Sequence, residues 1–188
     1  MSLRDTHLAS LRALGEHGVH GVHGVHGVRA VVSDVDGTLT DGCIHTTSDG
    51  RVFRSFHTHD GLGHHLLAEM GVVVAWLSAT SEPESIRARA RMLRVPESHL
   101  DLAPGEKGDR FLALCAAIGV EPARTVYMGD DENDLPPMRV AGWSVCPADA
   151  HPAVRAEAKM VTAAAGGRGA FRELADLIRE ALGGSGRG

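Results

Sequence analysis

Three short stretches of this 188-residue chain gather the groups that acid–base and metal chemistry require. They are Asp34-Val35-Asp36-Gly37-Thr38, Ser78-Ala79-Thr80 and Asp130-Asp131-Glu132-Asn133-Asp134. A single Asp after an apolar run is ordinarily a turn former or a helix cap. Two acidic clusters and a hydroxyl pair, each following its own apolar run, exceed what capping needs. Crowded carboxylates repel one another, and a hard divalent cation bound through oxygen relieves the repulsion. Mg2+ suits one or two carboxylates plus a substrate phosphate. Lys107 joins this set by scarcity. The 19 basic residues include only two lysines, Lys107 and Lys159. That bias reads as base composition of the coding sequence, yet a compact ammonium is not replaceable by a guanidinium everywhere.

These residues need elements to hold them. Residues 28–33 and 72–78 are short and apolar, the pattern of buried strands, and 125–129 reads as a strand too. Residues 143–146 read as a further strand, with shorter ones at 99–102 and 160–162. Helices are expected over 62–70, 82–94 (Ser81 as its N-cap), 107–118, 133–140, 152–158 and 171–182. Segments 43–47 and 51–57 flank Ser48-Asp49-Gly50, an Asp-Gly turn signal for a β-hairpin. The alternation predicts an α/β fold, a doubly wound, mostly parallel, Rossmann-like sheet with a projecting hairpin. No domain-sized insertion separates Asp36 from Ser78 or follows Ser78, so no cap domain is expected. In such sheets ligands collect at the carboxyl ends of the strands, where all three stretches fall.

Ahead of this core lie a short amphipathic helix, 3–14, and a tandem His-Gly-Val repeat from 17 to 28. Its histidines (His17, His20, His23, His26) form either a metal-binding tract or a repeat in a tolerant linker. Gly at every third position opposes helix and weakens strand, and no carboxylate or thiolate accompanies the imidazoles, so the linker reading is preferred. The expected organisation is a helix and linker over 1–27, one domain over 28–182 and a flexible tail over 183–188.

Composition removes several classes. With 43% hydrophobic and 23% charged residues the chain suits one globular domain. A net charge of -5 without a basic stripe excludes a general nucleic-acid binder. The longest strongly apolar run, 72–77, falls far short of the ~20 residues a membrane span needs. Residues 1–14 intersperse leucines with polar groups, unlike a signal peptide. Three cysteines, odd in number and without metal-ligand spacing, fit reduced thiols in the cytoplasm.

Asp34-Val35-Asp36-Gly37-Thr38 matches the DxDx[TV] signature of the haloacid dehalogenase superfamily. Ser78, Lys107 and Gly129-Asp130-Asp131 with Asp134 stand in the order of that superfamily's second, third and fourth motifs. More narrowly, the chain resembles its cap-less 3-deoxy-manno-octulosonate 8-phosphate phosphatases. That likeness runs through residues 34–42 and the hairpin, His59-Asp60-Gly61, Asp149-Ala150-His151-Pro152 and Gly166-Gly167-Arg168-Gly169-Ala170. Nonulosonate 9-phosphate phosphatases and the phosphatase-like tails of some sialic-acid cytidylyltransferases share the layout. The match spans 28–182.

The resemblance implies a Mg2+-dependent phosphatase working through an aspartyl-phosphate on a phosphorylated sugar or sugar acid. Asp34 is then the nucleophile and Asp36 the general acid and base. Ser78 bonds a phosphoryl oxygen, and Lys107 pairs with both nucleophile and phosphate. Mg2+ is held by Asp34, the Asp36 carbonyl and Asp130, with Asp131 and Asp134 behind them. His59, Asp60, Thr80 and Arg168 are expected to meet the substrate, and His57, His64 and His65 share that region. The resemblance also implies a homotetramer in which hairpins pack together and a neighbour roofs each site. A cap-less phosphatase gains from such walls because they limit stray water.

Two departures bear on the substrate. His59 stands where close octulosonate phosphatases carry an Arg, and Ser78-Ala79-Thr80 stands where they carry Thr-Gly-Arg. The second version is nearer the nonulosonate branch, and also fits a diverged sugar or nucleoside-derived phosphate of specialised metabolism. A non-catalytic tetramerisation module is the competing class. Its mark is erosion at Asp34, Asp36, Lys107 or Asp130, and none is eroded. A phosphotransferase or phosphomutase shields its intermediate with a cap, which is not seen.

Overall fold

The computed structural model describes residues 2–14 and 27–183. The His-Gly-Val repeat (apart from Gly27 and Val28) and most of the Gly-rich tail lie outside the described residues. Six parallel strands form the sheet, in the order β5-β4-β1-β6-β7-β8. They are β1 (Ala30–Ser33), β4 (Val73–Ser78), β5 (Leu100–Leu102), β6 (Thr125–Met128), β7 (Trp143–Cys146) and β8 (Met160–Val161). The doubly wound α/β architecture expected from the sequence is the one observed.

Period-two alternation along the strands feeds two separate cores. Val31, Trp76, Val126 and Met128 point to one face, where they meet α1 (Leu3–Ala13), α2 (Thr58–Glu69), α3 (Glu84–Met92) and α7 (Ala170–Ala181). Val32, Leu77 and Tyr127 point to the other, against α4 (Lys107–Ala117), α5 (Leu135–Val140) and α6 (Pro152–Glu157). Strands sandwiched this way lose the hydrophobic/polar contrast of half-buried ones, which is why they read as plain apolar runs. Each large side chain removed from water here contributes about 1.5–3 kcal/mol.

The N-terminal helix, placed by sequence outside the 28–182 domain, packs onto it. Leu8, Leu11 and Leu14 enter the first core, and Arg12 Nε donates to the Ala181 carbonyl at 2.9 Å. Among the described residues no helix is long and apolar enough to cross a membrane.

Three local expectations are corrected. The hairpin strands shrink to β2 (His45–Thr46) and β3 (Val52–Phe53), because the chain beyond Phe53 turns inward to bury Arg54. Helix α2 begins at Thr58 rather than 62, capped by the His57 ring, which accepts from the His59 amide at 3.3 Å. Gly61 and Gly63 mask that start in the sequence. Gly63 is needed for packing, since a Cβ there would press on Ala175 and on the Arg172 backbone of α7. Finally, α3 has Pro83 at its N-cap with no side-chain bond. The Glu82 amide is held instead by Thr80 Oγ1, at 3.0 Å.

Candidate active site

The register of the central strands brings the chemistry together. Ser33 pairs with Trp76 on one side and Met128 on the other, so β1, β4 and β6 end nearly level. The Asp34 amide then donates to the Met128 carbonyl at 2.8 Å, which pins the first acidic stretch beside the third. Lys107 arrives from the start of α4, the helix that follows β5.

Lys107 is the hub. Its ammonium donates to Asp34 Oδ1 at 2.6 Å and to Asp134 Oδ1 at 2.7 Å, with only 2% of the side chain exposed. Burial by itself lowers an ammonium's pKa. Asp34 and Asp134 outweigh it here, so the Lys107 pKa is raised. Burial pushes the Asp34 carboxyl well above the usual carboxylate range, and Asp134 adds to this while Lys107 opposes it. Asp130 is raised to about 6, first by burial and then by Asp134. Tyr127 donates its hydroxyl to Asp134 Oδ1 at 2.7 Å, and burial followed by Asp134 drives its own pKa well up.

Asp34, Asp130 and Asp134 each offer an oxygen, all within 4.8 Å of one another. One ammonium faces these three carboxylates, so a divalent cation fits both the charge and the all-oxygen donor set. Their roles separate by hydrogen bonding. Asp134 is saturated: Oδ1 takes Lys107 and Tyr127, and Oδ2 takes the amides of Asp130 at 2.9 Å and Asp131 at 3.1 Å. Asp34 is bonded through Oδ1 to Lys107, and Asp130 through Oδ1 to the Thr38 hydroxyl at 2.9 Å. Apart from the contact of the Asp34 and Asp130 carboxyls with each other, their Oδ2 atoms are the oxygens left for a metal or a phosphoryl group. Gly37, at φ +94°, lets Asp130 approach, because a Cβ there would run into its carboxylate.

The other expected residues divide. Asp36 stands at the rim with 28% of its side chain exposed and is gripped by Arg54. Ser78 is buried at the end of β4, its carbonyl held by Arg110 Nη2 at 3.0 Å. Asp131 does not join the cluster; it caps the short 3-10 turn 132–134 by accepting from the Glu132 amide at 2.8 Å. Asp60, expected to meet substrate, has its carboxylate committed within the protein. It is buried and accepts from the amides of Gly169 at 3.3 Å and Arg172 at 2.9 Å, tying α2 to the start of α7. Thr80 is buried too, its hydroxyl committed to Arg54 and Glu82.

Among the histidines, His59 is exposed on the first turn of α2, edge-on to His57. His64 instead lies in the core, stacked on Phe171. Arg168 is 66% exposed and pairs with Asp41 at 3.1 Å.

Sequence reading missed Arg54 and Tyr127. Arg54 is one of many arginines, inside a segment expected to be hairpin strand, and carried no mark of its own. Tyr127, the lone tyrosine, sits mid-strand like any core aromatic.

Residues 82–174 match the haloacid dehalogenase-like hydrolase family. The 3-deoxy-D-manno-octulosonate 8-phosphate phosphatase of Haemophilus influenzae is 38% identical over 153 residues, covering 81% of this chain and 83% of that protein. The cobalt-bound structure of the Haemophilus influenzae enzyme superposes with a TM-score of 0.78 at 38% identity, over 83% of this chain and 90% of that one. The Moraxella catarrhalis phosphatase, crystallised with magnesium, phosphate and a 3-deoxy-D-manno-octulosonate molecule, superposes with a TM-score of 0.81 at 28% identity. That superposition covers 94% of this chain and 92% of the other.

Proposed function

This chain belongs to the haloacid dehalogenase-like hydrolases, among their octulosonate 8-phosphate phosphatases, and we propose that it hydrolyses a phosphorylated sugar acid through an aspartyl-phosphate on Asp34. The observation that carries the reading is the convergence of Asp34, Lys107, Asp130 and Asp134 at the level ends of β1 and β6, with Asp36 two residues beyond the nucleophile.

In the first step Asp34 Oδ2 attacks phosphorus in line. The bond to the sugar oxygen breaks, and that oxygen takes a proton from Asp36. In the second, water gives a proton to Asp36 and attacks phosphorus, and the Asp34–phosphorus bond breaks to return the carboxylate. Lys107 offsets the charge that builds on the phosphoryl group. Asp134 holds Lys107 in place and, through the amides of Asp130 and Asp131, sets the loop that carries Asp130. Ser78 stands at the strand end to bond a phosphoryl oxygen. The Asp34 carboxylate, the Asp36 carbonyl and Asp130 would hold Mg2+, which when bound neutralises phosphoryl oxygens and orients them for in-line attack.

His59 and Arg168, both exposed, are the side chains proposed to meet the sugar. An octulosonate 8-phosphate, the substrate in the relatives' names, or a nonulosonate 9-phosphate, nearer the Ser78-Ala79-Thr80 version, is the substrate type. We also propose a homotetramer built on the hairpin, where Ile44 and Phe53 leave 50% and 49% of their surface exposed. Free thiols at Cys43, Cys115 and Cys146 fit a cytoplasmic setting.

Phosphate release is the test. Octulosonate 8-phosphate, nonulosonate 9-phosphate, hexose and pentose phosphates and nucleoside 5′-phosphates would be assayed with and without Mg2+, beside Asp34→Asn. Preference for one sugar-acid phosphate, lost in Asp34→Asn, is the expected result. No Mg2+-dependent release from any of them, in folded protein, would return the chain to the tetramerisation-module reading. Light scattering on the intact protein checks the tetramer.

A further inference from the structure

Arg54 is a buried, fully bonded cation beside Asp36 and has no part in the chemistry proposed for the site. It comes from the segment just beyond β3, and 2% of its side chain is exposed. Every one of its five N–H groups is engaged. Nε donates to Asp36 Oδ1 at 2.6 Å and Nη2 to Asp36 Oδ2 at 3.1 Å. Nη2 also donates to Thr80 Oγ1 at 3.1 Å, and Nη1 donates to the Glu82 carbonyl at 2.9 Å and to Ser85 Oγ at 2.8 Å. A guanidinium so buried and so fully engaged is not a receptor waiting for a substrate anion. It acts on Asp36.

The two bonds of the fork are unequal, and Asp36 is far more exposed than Arg54. Oδ1 is held close, whereas Oδ2 is held loosely by a nitrogen that keeps Thr80 when Oδ2 leaves. We infer that Arg54 is a positioning residue that fixes Asp36 by Oδ1 and presents Oδ2 to the leaving-group oxygen and then to the attacking water. This rests on the phosphatase reading above. Its anchors, Thr80, Glu82 and Ser85, lie between the end of β4 and the first turn of α3. The second stretch is thus assigned a task beyond the phosphate contact of Ser78, which is to hold the residue that aims the acid. Arg is required because a lysine ammonium cannot form the planar fork and reach the other partners together.

The test separates the two proton transfers. The probes are 3-deoxy-D-manno-octulosonate 8-phosphate, whose alkoxide must be protonated, and p-nitrophenyl phosphate, whose phenolate leaves without help. With Asp36 no longer aimed in Arg54→Met, turnover of the sugar phosphate is expected to fall about 10²-fold, the size of a general acid–base contribution. With p-nitrophenyl phosphate the first step persists while the second, which needs Asp36 as base, slows. Stopped flow should then show a burst of about one nitrophenolate per active site, as expected when a covalent intermediate accumulates. Arg54→Lys is expected to show the same pattern more mildly. Ser85→Ala, which removes one anchor, should shift the substrate ratio a few-fold and carries the test should Arg54→Met not fold.

Equal loss on both substrates with no burst would mean a merely structural Arg54. An Arg54→Lys variant matching the wild type would mean that charge alone suffices; either result overturns the inference. Wild-type protein that cleaves neither probe, or Asp34→Asn that cleaves both, removes the phosphatase reading and this inference with it.

Discussion

Lys107 Nζ stands 2.6 Å from Asp34 Oδ1 in a place where both side chains are almost wholly out of water. Removing either charge leaves the other buried and uncompensated, which costs far more than the pair contributes. The same contact ties up one oxygen of Asp34 and leaves the other for the attack proposed above. Lys107→Met is therefore expected to lower phosphate release by about 10²–10³-fold and to lower stability as well. Lys107→Arg should not restore activity, because a guanidinium is too broad for a gap shared by two carboxylates. Steady-state assays alongside urea unfolding check both halves; full activity in Lys107→Arg would contradict the fit.

Asp134 accepts from four donors, two of them backbone amides. Asp134→Asn replaces one acceptor oxygen with an NH2 group and sets it against at least one of those donors. The expected cost is about 2–4 kcal/mol of stability, from donors left without partners beside an unbalanced ammonium. Denaturant midpoints with an unchanged m-value would measure it. A variant as stable as the wild type would mean that the network is redundant.

Gly37 makes room for Asp130, and its φ of +94° is one that a side chain rarely adopts. Gly37→Ala should push the Asp130 carboxylate away and weaken Mg2+ binding by about 10-fold or more, equivalent to about 1.4 kcal/mol. Calorimetric titration of the metal-stripped protein with Mg2+ reads this without any turnover. Unchanged affinity would remove Asp130 from the proposed ligands.

His64 is a pH-sensitive part of the core. Its Nε2 accepts from Trp76 Nε1–H at 2.8 Å, so the proton sits on Nδ1 and donates to the Asp60 carbonyl, also at 2.8 Å. Burial, before all else, holds its pKa down at about 4, against 6.5 for the free side chain. The unfolded chain thus takes up the proton first as pH falls. The stability from neutral His64 is complete above pH 6.5 and is lost progressively between 6.5 and 4. At pH 5 the loss should be about 2 kcal/mol relative to pH 7.5. Urea unfolding at the two pH values, compared with His64→Gln, isolates this from other titrating groups. An equal pH dependence in both proteins would show that His64 is not responsible.

Much of this protein could be read from the chain alone. Apolar runs of strand length, each followed by acids or hydroxyls, were sufficient for the α/β order and for placing Asp34, Asp36, Ser78, Lys107 and Asp130 at strand ends or at a helix start. Local physics decides these features. A strand buried on both faces must be apolar, and the loop after it is where polar groups can emerge. The hairpin turn was equally legible, because Asp49-Gly50 supplies the positive φ that the reversal needs.

What the tertiary structure alone decided are the partnerships between distant residues. Asp60 looks like a site residue, yet it ties α2 to α7. Asp131 reads as a residue behind the metal ligands, and in the fold its side chain caps a turn. His64 looks like a surface imidazole and is a core hydrogen-bond bridge. Arg54 looks like one surface arginine among many, yet it is the buried fork that grips Asp36. In each case the role depends on which donors and acceptors arrive from elements far away in sequence. A polar side chain takes its function from the partners that burial forces on it, and those partners exist only once the sheet has set its register.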